Sequence, residues 1–257
     1  MTADTYVDRA RSRVRDEQEA VRAKQDAFEQ FIDHVSSLPA ATVPSGTGVT
    51  ATVGTQFQTD DQCRAVRNAF EETIRPHSCE TVEDPEPLLQ TIKAEFTESI
   101  AAALASTTPT TFSPEIKRAI LTEANSRQTE TAALLQALDT ELDSLETAAE
   151  TVTEITDWLV DSNERPLTDC GFDALRRRHE QLATYREHCD TLARERQTDL
   201  QRTTSQTLDA GIRHRELVAY LYRAFPVDHP VLATAVRLDS LCAGCQRTVR
   251  EHLVRRV

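Results

Sequence analysis

Cys242-Ala243-Gly244-Cys245 is the stretch of this sequence whose residue types and spacing are best suited to chemistry. Two thiols three residues apart can clamp one metal ion or form a reactive dithiol. A structural zinc site takes four ligands, and no second such pair exists, so Cys189, His179, His188 or His252 would have to complete it from other helix faces. The metal reading therefore centres on Cys242, Cys245 and Cys189, with zinc as the ion. The plainer reading is packing. Leu238, Cys242, Cys245 and Val249 recur at helical spacing, and cysteine in such a stripe behaves as a small core residue. Gly244 costs a helix about 1 kcal/mol relative to alanine, so it marks either a close helix contact or a local break that exposes the thiols.

Other constellations fail on their own terms. His179-Glu180-Gln181-Leu182-Ala183 has alanine where a zinc protease needs its second histidine. None of the seven histidines follows a glutamate by three residues, as a carboxylate di-iron bundle requires. His77, Cys79 and Glu80 match a zinc deaminase poorly, because the proline that should precede the cysteine pair and the supporting sheet are both missing. No GxSxG elbow, P-loop or GxGxxG occurs. The chain reads as a non-enzyme, with no catalytic residue and no organic cofactor assigned.

Arg247, Arg250, Arg255 and Arg256 cluster near the end of the chain. Cations there stabilise the negative end of a helix dipole, and a net charge of −13 opposes contact with phosphates. Nucleic acid is therefore disfavoured as a partner.

The elements that must position these residues are helices. Val7, Val14, Val21, Phe28 and Val35 return at every seventh position, a seam that faces another helix. Ala10, Glu17, Lys24, Phe31 and Leu38 form its second row; Glu17 and Lys24 either select one register there or snorkel to solvent. Prolines divide the chain, being excluded from helix interiors. Residues 1–38 make an N-terminal heptad helix. Residues 39–59 are a Thr/Gly/Val-rich loop with a short extended piece near Val49 to Val53. Residues 60–112 hold short helices, one carrying Cys63, Val66, Phe70 and Ile74 on a single face and one running from Leu88 to Ala105. Residues 113–257 form a long antiparallel hairpin plus a C-terminal helix, opened by Ser113-Pro114-Glu115 as cap, first helical residue and acid. Leu121, Leu135, Leu142 and Ala149 mark one seam of its first arm, and Ala124, Leu138, Leu145, Val152 and Leu159 another. Leu175, Leu182 and Cys189 open the seam of the second arm, where Gly211 marks a kink or a break.

Composition agrees with that plan. Hydrophobic residues make up 39% and charged ones 28%, which suits narrow apolar stripes between wide solvated faces. Only six glycines are present, too few for a many-stranded fold. Lysine occurs only at Lys24, Lys93 and Lys117, while acids dominate, a balance suited to concentrated salt, where repulsion is screened over roughly 3 Å at 1 M. The first residues carry both charge signs and no apolar run, and no stretch of about 18 apolar residues occurs, so a protein of the cytoplasm is expected. Cysteines in that reducing compartment are free thiols.

Three stretches, YVDRARSRVRDEQEAVRAKQDAFEQF, GFDALRRRHEQLATYREHC and HPVLATAVRLDSLCAGCQRTVREHLVRRV, together resemble a family of uncharacterised proteins from halophilic archaea described as a domain of unknown function. The resemblance implies a salt-adapted, helical, cytoplasmic protein and brings no catalytic residues. The expected fold is all-α: an elongated antiparallel helical bundle, or coiled-coil hairpin, with a small helical section. The expected role is structural or protein-interacting, through a protein partner or self-association along the heptad seams, without a membrane. A metal- or thiol-dependent sensor using the cysteine pair is the alternative.

Overall fold

A computed structural model describes residues 5–40, 53–78, 87–105, 111–201 and 214–255, with side chains of the second stretch from residue 62 onward. The fold is all-α. Among the described residues the helices are α1 (Tyr6–Ser37), α2 (Val53–Glu72), α3 (Leu88–Glu95), α4 (Glu98–Ala103), α5 (Pro114–Asn163), α6 (Phe172–Gln201), α7 (His214–Leu221) and α8 (Pro230–Val254). The chain divides into two compact units: residues 1–18 with 136–257, and residues 19–135. Helices α1 and α5 each contribute to both.

Local chemistry sets the helix ends. Thr5 Oγ1 accepts from the Asp8 amide while Asp8 Oδ2 accepts from the Thr5 amide, a reciprocal cap that starts α1. Its far end meets Pro39, and Lys117 Nζ donates to the carbonyls of Ser36 and Leu38 at 2.7 Å each, satisfying acceptors the helix leaves open. Ser113 Oγ accepts from the Ile116 amide at the start of α5, as its sequence predicts. The Arg178 guanidinium donates to the Ser162 and Arg165 carbonyls and closes the turn after α5.

In the unit of residues 19–135, the predicted face of α2 is buried at Cys63, Val66, Phe70 and Ile74. The single helix expected from Leu88 to Ala105 is instead broken. Phe96 leaves the helical path and Thr97 caps a new helix by accepting from the Ile100 amide. The break delivers Phe96 to the core, where its ring stands 5.5 Å from both Phe31 and Phe70 and 6.4 Å from Phe28. Lys24 does not simply snorkel: its Nζ lies 2.7 Å from Glu95 Oε1. The loop expected over 39–59 lies largely outside the described residues, although helix α2 already begins at Val53.

In the other unit, α5 and α6 are antiparallel. Glu141 meets Arg196 and Trp158 meets Tyr185, so positions rise on one helix as they fall on the other. Helix α8 runs back along α6, with Asp239 against Arg186 and Gln246 against the His179 carbonyl. Glu17, the other polar seam residue of α1, accepts from Tyr220 Oη at 3.0 Å and pairs with Arg13 at 2.8 Å. The heptad seams are covered in part: Leu121, Leu135, Leu142 and Leu159 of α5 are only half-buried. Val7, Val14, Val21, Phe28 and Val35 are all buried, as are Leu138, Leu145 and Val152 of α5 and Leu175, Leu182 and Cys189 of α6. Among the described residues no helix is long and apolar enough to cross a membrane.

Candidate functional site

The cysteines separate by environment. Cys189 of α6 and Cys242 of α8 are buried, whereas Cys245 is exposed. The predicted stripe thus holds for Leu238, Cys242 and Val249 and fails at Cys245, which turns outward. Burial, then the nearby Asp239 carboxylate, pushes the Cys189 thiol up to about 11, against the Arg186 guanidinium. Burial likewise pushes Cys242 up to about 11, helped by Cys189, Cys245 and Asp239. Both thiols therefore stay protonated near neutrality, which suppresses nucleophilic attack. Among the described residues no group of three or more His, Cys, Asp or Glu side chains is placed to hold a metal ion. His188 packs edge-on to Tyr185 at 5.8 Å, and His179 Nε2 lies 3.5 Å from Arg250 Nη2. His77 is exposed, and Cys79, Glu80, Gly211 and Arg256 lie outside the described residues.

Gly244 marks neither a close contact nor a break. Helix α8 is continuous from Pro230 to Val254, and a Cβ at Gly244 would meet nothing within 4 Å. The glycine opens instead onto a groove.

That groove measures about 1070 Å³. Helices α5 and α8 supply most of its lining, α6 contributes Arg178 and Leu182, and α1 contributes Tyr6. Along α8 the lining runs through Arg237, Leu241, Gly244, Cys245 and Thr248; along α5 it runs through Val152, Thr156, Leu159, Val160 and Asn163. Both rows follow the three- and four-residue steps of a helix-facing seam. The seam of α5 that is buried at Leu145 and Val152 emerges into the groove at Leu159. Val160 is 60% exposed and Leu241 50%.

A second cluster is fully enclosed. Glu141 Oε1 accepts from Arg196 Nη2 at 2.7 Å and from Tyr222 Oη at 2.6 Å. Its Oε2 accepts from Arg196 Nη1 at 2.9 Å and lies 2.8 Å from His214 Nε2. Burial opposes ionisation of Glu141, but the adjacent His214 imidazole, the hydrogen bonds and charge of Arg196 and the hydrogen bond from Tyr222 outweigh it and hold the pKa at about 2. Burial and the adjacent carboxylate push the Tyr222 phenol far above its ordinary value. Every oxygen of the carboxylate is engaged, so the cluster ties α5, α6 and α7 together.

A family model described as Domain of unknown function (DUF7260) matches residues 5–246. The chain belongs to that family. No curated protein and no solved structure matches it.

The DUF7260 region contains the whole Glu141 cluster and nearly all of the groove lining. Neither was picked out from the sequence of this DUF7260 chain, yet both left a trace there. Arg196 stands seven residues after Cys189, on the seam begun by Leu175 and Leu182. Glu141 stands between Leu138 and Leu145 at the same seam spacing. A charge at a seam position signals a buried partner, and two such charges on neighbouring helices signal each other.

Proposed function

We propose that this chain is a structural, protein-interaction protein adapted to concentrated salt, and that it engages a partner protein by seating one of the partner's helices in the groove of α5, α6 and α8. The supporting observation is the pair of helix-facing rows, on α5 and α8, that no helix covers among the described residues. Residues at such spacing normally meet another helix. The α1 seam from Val7 to Val35 is buried, so the groove, rather than that seam, is the surface proposed for association. Small ligands favour sites of about 300–1,000 Å³ that enclose most of their surface. A trough of about 1070 Å³ with half-exposed walls suits a helix better.

Salt adaptation rests on the charge of −13 and the near absence of lysine. It accords with a halophilic archaeal source and a cytoplasmic location. Thermal stability should rise as potassium chloride approaches multimolar levels, because screening relieves repulsion among carboxylates.

The test is selection of displayed helical peptides of about four turns against the protein in concentrated potassium chloride, with Leu241→Asp as a parallel target. Peptides that bind the native chain and lose the variant support the reading. Binders indifferent to Leu241→Asp overturn it.

A second reading, a thiol or zinc sensor, is favoured by one observation: Cys242 and Cys245 stand three residues apart on the continuous helix α8, the exposed Cys245 beside the buried Cys242. Stoichiometric zinc in chelator-free protein, lost in Cys242→Ser, would establish it.

A further inference from the structure

We propose that the partner helix is acidic and places a bulky apolar side chain over Gly244, with a carboxylate meeting Arg237. The inference rests on the groove reading above and specifies its occupant.

Leu241, Gly244, Cys245 and Thr248 stand at positions i, i+3, i+4 and i+7 of α8, the four corners that receive one knob from a facing helix. Glycine at one corner deepens that hole. Nothing among the described residues uses the space, since a Cβ at Gly244 would meet no atom within 4 Å. Glycine is disfavoured within a helix, and neither a kink nor an internal contact accounts for it here. A knob from outside does.

Charge selects the sign of the partner. The charged side chains lining the groove are Arg178 and Arg237, both cationic, on a chain of net charge −13. Arg178 is committed to the Ser162 and Arg165 carbonyls. Arg237 is exposed and pairs with no carboxylate among the described residues. It precedes Gly244 by two helical turns, about 10 Å along the axis. The matching helix therefore carries its knob and its carboxylate about seven residues apart.

Three synthetic helices of about 16 residues, free of tryptophan, test this. The first carries leucine as the knob and glutamate two turns away, the second lysine in place of that glutamate, and the third alanine in place of that leucine. Trp158, the single tryptophan of the chain, lines the groove and reports occupancy by its emission. The titrations cover the range of potassium chloride over which circular dichroism shows a folded protein. The first helix should bind about tenfold more tightly than either of the others, a difference of about 1.4 kcal/mol, and the charge preference should shrink as salt rises. Arg237→Glu should invert the preference for glutamate over lysine. Gly244→Leu should weaken the leucine helix about tenfold without lowering the melting temperature.

Native affinity in Gly244→Leu, an unchanged charge order in Arg237→Glu, or a silent Trp158 with all three helices overturns the proposal. A Trp158 response to dodecanoate but to none of the helices overturns it in favour of a small amphiphile. If Leu241→Asp still abolishes binding of selected peptides in these cases, only the acidic-knob inference falls. If it does not, the groove reading falls with it.

Discussion

Arg196 and Glu141 form a two-pronged ion pair, Nη1 to Oε2 at 2.9 Å and Nη2 to Oε1 at 2.7 Å, with side chains 3% and 0% exposed. Removing one member strands the other in a medium that solvates it poorly. Glu141→Ala should therefore lower unfolding free energy by about 3–5 kcal/mol in denaturant titrations. Adding Arg196→Met to Glu141→Leu should restore only part of the loss, because Tyr222 Oη still lacks its acceptor. Full recovery in the double variant would show that the pair stands alone.

The same carboxylate governs acid stability. Its folded pKa, about 2, lies below its ordinary value of 4.5. A depressed folded pKa means that the unfolded chain takes up the proton first. The contribution of Glu141 is then complete above the unfolded value and disappears as pH falls through the range from about 5 to about 2. Melting temperature followed across that window should drop in the native chain, and the slope should flatten in Glu141→Gln. A parallel slope in both would assign the acid sensitivity to other groups.

Thiol reactivity should divide by burial. In a Cys79→Ser background, Cys245 should react with iodoacetamide at neutral pH, while Cys189 and Cys242 react only after denaturant is added. The two buried thiols are held up near 11, so their stabilising contribution is whole below the unfolded value of about 8.5 and fades as pH rises toward 11. Mass spectrometry of the alkylated peptides reads the order directly; rapid labelling of Cys242 in the folded protein would contradict the packing described for α8.

Gly244→Ala should stabilise the isolated chain by up to about 1 kcal/mol, because the methyl meets open space and the helix gains a better former. Loss of stability would mean that the backbone at this point is under a constraint not evident from its surroundings.

Lys117 offers a test of helix termination. Its ammonium spans two carbonyls at the end of α1, so Lys117→Met should cost about 1–2 kcal/mol and raise amide exchange near Val35 to Leu38. Exchange unchanged there would place the stop at Pro39 alone.

The seams were legible because a heptad depends only on spacing: Val7 through Val35 and Leu138 through Val152 had to be buried wherever their partners came from. Caps were legible for a similar reason, since Ser113 and Pro114 act on their own helix within one turn. The break at Phe96 was not. It repays a locally unfavourable interruption with contacts to Phe28, Phe31 and Phe70, residues distant in the chain, and no local rule registers that gain.

Helix periodicity, charge balance and the absence of a catalytic pattern were thus properties of the linear chain, because each follows from residue type and interval. Partnership was decided only in three dimensions. Whether Glu141 finds Arg196, whether Cys245 turns inward or outward, and whether the space beside Gly244 is filled all depend on which helix lies across from which. A stripe states that something must cover it; only the packed helices determine whether the chain itself supplies the cover, as it does at Cys242, or leaves the stripe open, as it does at Leu241.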